Sequence, residues 1–506
     1  VFVDRADLVH GSILRPDVCV VGAGAAGITV ARSLASAGVD VLLLEGGEAE
    51  PTERSQSLYT GRMETVHRTR EEDGDYLRSS RLRYFGGSTN HWTGACRPFD
   101  PLDLEARPWV PHSGWPISHD ELAAWYPRAC GLVDIPGFEG DHGAARTGER
   151  PTVLAGAARL RTRIVHFSRP TRFGPKYRDE LASAPTLKVV LGANVLRFRA
   201  SLGPDVGRVR HAEVRLEDGG DVTVIAQRFV LACGGVENAR LLLLSDRDAP
   251  RGLGNDHDAV GRYFADQPHC PRAGEAVLPG LPGGAVGADL YLRKERDDHV
   301  SRVRTRGVFV LDPELQRAER LLGASVLFTP RERAARGKTR GVADLAKVMA
   351  RTAGVDVTAE PLRVSVSVQA EQAPNPDSRV TLMEETDRLG LRRAKLDWRA
   401  SDEDARSIHR TLQLMAHDLG ATWAGRAQIE FQLEDPWSRT RGGSFHLGTT
   451  RMSVDPRHGV VDADCRVHGL DNLWIAGSSV FPTTSCAPPT LTVVALALRL
   501  ANQLRR

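Results

Sequence analysis

The stretch DVCVVGAGAAGITVARSLASAGVDVLLLEGG, residues 17–47, constrains the fold more than any other part of the chain. Val18, Cys19, Val20 and Val21 form an unbroken apolar run, the pattern of a strand buried on both faces of a parallel sheet. Gly22, Gly24 and Gly27 then supply G-x-G-x-x-G, with Ala25 and Ala26 between the second and third glycines. The first glycine makes a tight turn, the second lets the backbone approach a pyrophosphate, and the third lets helix and strand pack closely. Ile28, Ala31, Leu34 and Ala35 recur at helical spacing, and Gly38 stops the helix. After a second apolar run, Glu45 stands 18 positions beyond Gly27, followed by Gly46. A carboxylate there accepts ribose hydroxyls. Strand, turn, helix, strand and acid agree, and together they predict a dinucleotide site.

Two later segments read as parts of the same sheet. RFVLACGGVENARLLLLS offers a buried strand from Phe229 to Ala232, a turn at Gly234–Gly235 and a helix start. NLWIAGSSVFPTTSCAPPTLTVVALALRLANQLRR offers a strand from Leu473 to Ala476 and an amphipathic helix from about Pro489. A nicotinamide enzyme has no need to return its last strand and helix in this way. A large two-ended cofactor such as FAD does. The chain is therefore read as α/β: a Rossmann-type FAD-binding domain with a parallel sheet and helices, plus a substrate domain of antiparallel sheet and helices. Residues 1–100, 186–265 and 436–506 are assigned to the first, and 101–185 and 266–435 to the second.

In the second domain GWPISHDELAAWYPRA carries a capping box, Ser118 with Glu121, and its aromatic residues read as core. PLRVSVSVQAEQ alternates, with Val364, Val366, Val368 and Ala370 on one face and Ser365, Ser367, Gln369 and Glu371 on the other. A strand so divided belongs to an antiparallel sheet that faces a wet or ligand-filled space. PNPDS supplies the turn after it. The region 312–352 reads as helical and charged, and its basic run RERAARGKTR (Arg331 to Arg340) as a solvated face.

The charge balance excludes one class of partner. A formal net charge of +3 over 506 residues leaves no electrostatic footprint for nucleic acid. Seven scattered cysteines with no C-x-x-C pair argue against a metal site and against a secreted disulfide framework. No run of 18 apolar residues occurs, so no membrane span is expected, and the chain is read as cytoplasmic.

Four segments in order resemble the glucose–methanol–choline (GMC) family of FAD-dependent oxidoreductases. They are VVGAGAAG with LEGG, FGGSTNHWTGACRPF, GVENARLLLLS, and the terminal GTTRM to ALALRLA. NHWT, SGWPIS, VGRYFADQPH and EQAPNPDSRV are most similar to the pyranose oxidase and glycoside oxidase branch. The resemblance implies that Gly86, Gly87, Ser88, Asn90, His91, Trp92 and Thr93 lie along the flavin ring. It also implies cofactor contacts at Val195, Ala232, Cys233, Gly234, Asn238, Gly477 and Ser478, and free helix-start N–H groups near Thr490 and Leu491. His91 matches a histidine that bonds covalently to flavin in pyranose oxidases, although Asn90 replaces the preceding Thr. It is read either as that covalent link or as a histidine that hydrogen-bonds within the loop.

The resemblance breaks at the catalytic pair. The family's proton-accepting histidine falls on Phe445, and its His or Asn partner on Pro488. Neither side chain offers acid–base chemistry. His446 matches the second, usually supporting, histidine. It is read either as a base turned inward by a loop flexing at Gly442 and Gly443, or as a residue packed behind the flavin. His269 and Glu371 are the other candidate bases, with His166 and Arg169 as wall residues.

The expected activity is hydride removal from a C–H bond next to oxygen or nitrogen, on a sugar, glycoside or other specialised small molecule, with flavin N5 as the hydride acceptor. The alternatives are non-redox, lyase-like chemistry on the same fold, or a catalytically silent flavoprotein. Oxygen, a quinone and a protein stand open as electron acceptors, as does the oligomeric state.

Overall fold

The computed structural model describes residues 1–65, 75–138, 159–169, 171–201, 207–278, 296–297, 304–330, 362–421, 426–438 and 440–505. The basic run 331–340 lies outside the described residues, as does much of the 312–352 region. Its described opening holds a helix, Pro313–Glu319, and a strand, Ala324–Pro330.

The apolar runs build a five-stranded parallel sheet. Its order is Leu473–Ile475, Arg228–Leu231, Val18–Val21, Val41–Glu45 and Leu187–Leu191. Every neighbouring pair is parallel. Val18–Val21 and Val41–Glu45 are buried at every position, because the helix Ala25–Ala35 and the strand Ala193–Ser201 both pack on this sheet. The first helix, Ala25–Ala35, packs on the terminal helix Thr490–Leu504. The chain's last strand and helix therefore return to its first βα unit.

The second sheet is antiparallel and carries the expected alternation. Leu362–Ala370 sits between His269–Leu278 and Ala324–Pro330, and the sheet continues through Arg304–Leu311 and Leu160–Phe167 to Ala95–Cys96. Val364, Val366, Val368 and Ala370 enter a core shared with the long helix Asp402–Ala421. That helix buries Ile408, Thr411, Leu412, Met415 and Leu419, one face at helical spacing. The face bearing Ser365, Ser367 and Gln369 points away from this core.

The cores do not follow the expected domain boundaries. Within 101–185, Leu104, Trp115, Leu122, Tyr126, Phe173 and Leu181 join the core of the parallel sheet. The hairpin Arg379–Thr386 with Arg392–Trp398, expected in the second domain, pairs with Arg62–Thr65 and buries Val380, Leu396 and Trp398 in that same first core. Packing follows which apolar faces meet, and contiguity in sequence does not record that. Only half of the capping box forms: Glu121 N–H donates to Ser118 Oγ at 3.1 Å, while the Glu121 carboxylate pairs with Arg499.

Candidate active site

The parallel sheet presents its carboxyl-terminal edge to a cavity of about 510 Å³. Gly22 turns the chain with φ +102°, and a Cβ there would lie 2.6 Å from Ala232 O. A Cβ on Gly24 would meet nothing within 4 Å, since this glycine opens onto the cavity. Gly24 caps the first helix without a side-chain hydrogen bond, so the helix-start N–H groups face outward unspent. Glu45 is buried on the same wall, accepting from Ala23 N and Gly47 N at 2.8 Å each.

Most of the expected cofactor contacts reach this one cavity. Gly22, Gly24, Ala25, Ala26, Glu45, Gly46, Gly87, Ser88, His91, Trp92 and Thr93 line it. So do Val195, Ala232, Cys233, Gly234, Gly477, Ser478 and Thr490.

Five expected contacts lie behind the wall instead. Gly27 packs against Gly22 O, which a Cβ would overlap. Gly86 takes φ +96° where a Cβ would come within 2.7 Å of Gly174 N. Asn90 ties its own loop, Nδ2 donating to Phe85 O at 2.9 Å. Asn238 is fully buried, accepting from Cys233 N and donating to Ser479 Oγ. Leu491 is core. None of the five is among the residues that line the cavity.

Other lining residues were not anticipated from the sequence. Leu241, Leu244, Leu389 and Leu391 give an apolar patch beside Val195. Arg81, Glu237, Arg240 and Asp387 form a buried ion-pair chain along the wall. Arg83 donates to Asn194 Oδ1 at 2.8 Å, while its buried Nε has no partner. The "RLR" before the glycine loop was the available clue, but only the fold shows that both arginines turn inward.

These features fit FAD. The glycine cradle leaves space where a side chain would stand, a helix start faces that space, and a buried guanidinium N–H is orphaned beside it. The terminal helix likewise begins at Thr490 on the cavity wall, with no side-chain cap at Pro489.

Phe445 and Pro488 both line the cavity, so the two substituted positions do face it. His446 is 7% exposed on the same wall, packed edge-on to Tyr76 and tilted over Phe264. Its Nε2 lies 3.1 Å from Ser80 Oγ, whose single hydrogen is given to Tyr76 O at 2.6 Å. Nε2 is therefore the donor, and the lone pair sits on Nδ1. The residue itself is part of the cavity lining. Burial, with Arg81 nearby, pushes the imidazole pKa down to about 3. His446 is thus held as a neutral ring.

The expected loop flexing is also corrected. Gly442 and Gly443 are close-packing positions: a Cβ on Gly442 would overlap Asp266 Oδ2, and one on Gly443 would come within 2.8 Å of the Phe445 ring.

The remaining base candidates are spent elsewhere. Glu371 is fully buried, held by both terminal nitrogens of Arg107 and by Gly323 N. It follows the last residue of its strand, and the Arg107 loop turns it away from the cavity. His269 opens its strand between Gln369 and Arg441 and is not on the wall. Burial and Arg441 push its pKa down to about 4. His166 packs on Phe138, and Arg169 is exposed; neither lines the cavity. His91 is exposed on the wall, its pKa lowered by burial and by Arg172. Among the described residues no cluster of metal-ligating side chains occurs, and no helix is long and apolar enough to cross a membrane.

Comparison with known proteins decides the class. A family profile described as FAD dependent oxidoreductase matches residues 17–341, and one described as GMC oxidoreductase matches residues 374–497. The chain belongs to the FAD-dependent oxidoreductases, GMC type. Full-length relatives include 6'''-hydroxyparomomycin C oxidase of Streptomyces lividus, 27% identical over 96% of this chain and 90% of that protein. The fructose dehydrogenase large subunit of Gluconobacter japonicus is 24% identical, covering 97% of each. Pyranose 2-oxidase of Tricholoma matsutake is 25% identical over 86% of this chain and 75% of that protein. Among solved structures, pyridoxine 4-oxidase superposes with TM-score 0.58 at 18% identity, over 96% of this chain and 99% of that one. That likeness concerns the fold. As a GMC-type enzyme, the oxidoreductase uses FAD and acts on CH–OH donors.

Proposed function

We propose that this oxidoreductase dehydrogenates an alcohol carbon of a sugar, glycoside or similarly hydroxylated specialised metabolite, with an acid–base set reduced to His446. FAD, when bound, supplies the two-electron acceptor that takes hydride from the carbon. The protein's task is to orient the alcohol and to hold its proton. Phe445 and Pro488 leave His446, a cavity-lining residue whose free lone pair is on Nδ1, as the acceptor that carries this reading. Ser80 fixes the tautomer, and Tyr76 and Phe264 fix the ring. A ring so reluctant to charge accepts the proton only as the carbon gives up hydride. Simple sugars and primary alcohols should therefore react poorly, since a well-matched base contributes ~10²–10⁴-fold. A larger substrate offsets this through binding energy realised at the reacting carbon. The relatives named for aminoglycoside and sugar oxidation support the substrate class.

A covalent bond from His91 to flavin belongs to the same proposal: its ring stands exposed on the wall with no hydrogen bond among the described residues. A cytoplasmic setting is proposed too, supported by cysteines that form no disulfide among the described residues. The deciding test is anaerobic: hydroxylated glycosides are mixed with the yellow enzyme and bleaching is followed. Bleaching by a glycoside, slowed in His446→Ala, supports the proposal. Rapid bleaching by glucose or methanol overturns the reduced acid–base set, and no bleaching by any alcohol favours lyase-like or silent use of the flavin.

A further inference from the structure

Asp266 is fully buried, yet it sits in none of the ion pairs of the described residues. Instead its two oxygens gather five donors. Oδ1 accepts from Gln267 N at 2.7 Å, Gly443 N at 3.0 Å and Phe445 N at 3.0 Å. Oδ2 accepts from Tyr76 O–H at 2.6 Å and Ser444 N at 3.1 Å.

Three consecutive backbone N–H groups, those of residues 443, 444 and 445, thus converge on one carboxylate. Such a nest is an anion-binding concavity, and here the anion is built into the chain. It forms only because Ser444 takes a left-handed backbone, φ +62°, which costs energy for a residue with a side chain. Gly442 and Gly443 are the complementary requirement, since Cβ atoms would strike Asp266 Oδ2 and the Phe445 ring. On either side of the nest, paired backbone bonds fasten the two segments: His269 with Arg441, and Ala265 with Leu447.

The segment so held, Gly443 to His446, is cavity wall. Tyr76, which donates to Asp266, also packs its ring against His446 and gives its carbonyl to Ser80. The geometry points to Asp266 as the positioning residue of the active site, the internal anion that folds the Gly443–Phe445 loop around itself and so aims Phe445 and His446 into the cavity. This deepens the proposed function of that site and rests on it for the chemistry alone. The loop argument is independent of the substrate.

Asp266→Asn is the informative change because it nearly preserves shape. An amide keeps one acceptor oxygen and turns an NH2 toward the other donors. Tyr76 can rotate to accept, but Ser444 N–H is left facing a donor, at the one residue whose left-handed backbone depends on that bond. Gly442→Ala disturbs the same contact from the loop side by pushing against Oδ2. Asp404→Asn is the control: Asp404 is equally buried and accepts Ser401 N, Ser401 Oγ and Ala373 N, away from the cavity.

The holoenzymes are compared by FAD content, visible flavin spectrum, thermal midpoint and, with a reducing alcohol, the anaerobic bleaching rate. Asp266→Asn and Gly442→Ala should both displace the flavin bands, and should lower the bleaching rate by roughly 10²-fold, the cost of about 1 Å of misplacement. Asp404→Asn should lower the midpoint and leave the spectrum native. Folded, FAD-replete Asp266→Asn with a native spectrum and a rate within about twofold of wild type overturns the proposal. So does an Asp404→Asn spectrum displaced as far as that of Asp266→Asn. If Asp266→Asn does not fold, the spectrum of Gly442→Ala decides: displaced supports, native overturns. The spectra also separate this inference from the proposed function, because they are read even where no alcohol bleaches the flavin.

Discussion

Acid should attack this protein at His446, and the size of the effect follows from its surroundings. In the unfolded chain the imidazole titrates near 6.5, while in the fold burial pushes it down to about 3. The unfolded state therefore binds the proton more readily, and acid favours unfolding. The contribution of His446 to stability is complete above pH 6.5, is lost as pH falls toward about 3, and changes no further below that. Each pH unit inside the window is worth ~1.4 kcal/mol, so lowering the pH to about 4 removes roughly 3 kcal/mol.

The measurement is urea unfolding of the native enzyme and of His446→Gln at a series of pH values. Gln cannot titrate, and its amide can still donate to Ser80. Asp266, Asp103 and Asp404 are raised to about 6, 7 and 7 by burial, and so gain relative stability in acid. They are common to both proteins and cancel in the difference. The two stability curves should converge by roughly 3 kcal/mol between neutrality and about pH 4. Parallel curves would refute the buried neutral ring. So would an acid limb near 6.5 in the bleaching rate of the native enzyme that disappears in His446→Gln, because that limb requires an imidazole with an ordinary pKa.

The other predictions concern the cradle, the flavin link and a spent carboxylate. Gly24→Val should give colourless protein, since its side chain would occupy the open space at the helix start; a yellow, fully loaded variant would place the cofactor elsewhere. Acid precipitation should leave the flavin in the pellet if His91 is bonded to it, and His91→Ala should release it; yellow supernatant from the unaltered protein rules the bond out. Glu371→Gln should destabilise by ~3–5 kcal/mol, because it strands the buried Arg107 guanidinium. Its folded fraction should bleach at the native rate, and a slowed rate would return Glu371 to the chemistry. Phe445→His with Pro488→Asn should raise oxidation of simple alcohols, read as anaerobic bleaching by methanol or glucose, because both positions face the cavity.

The sequence by itself determined the nucleotide cradle, because each of its requirements is local. A tight turn needs Gly22, an open approach needs Gly24, close helix packing needs Gly27, and a buried parallel strand needs an unbroken apolar run. The alternation of Val364 to Ala370 likewise marked an antiparallel strand, since a period of two records which face is covered. Resemblance located Phe445 and Pro488, and both do line the cavity.

Tertiary structure decided what depends on groups distant in the chain. Glu371 reads as a free acid on a polar face until Arg107, 264 positions away, is seen to claim both its oxygens. His446 reads as an ordinary imidazole until Tyr76, Ser80, Arg81 and Phe264 are packed around it. Gly442 and Gly443 read as a hinge because a sequence shows only that side chains are missing. Asp266, 177 positions before Gly443, supplies the reason they must be. A carboxylate's role is set by the donors that surround it, and those donors converge only when the chain has folded.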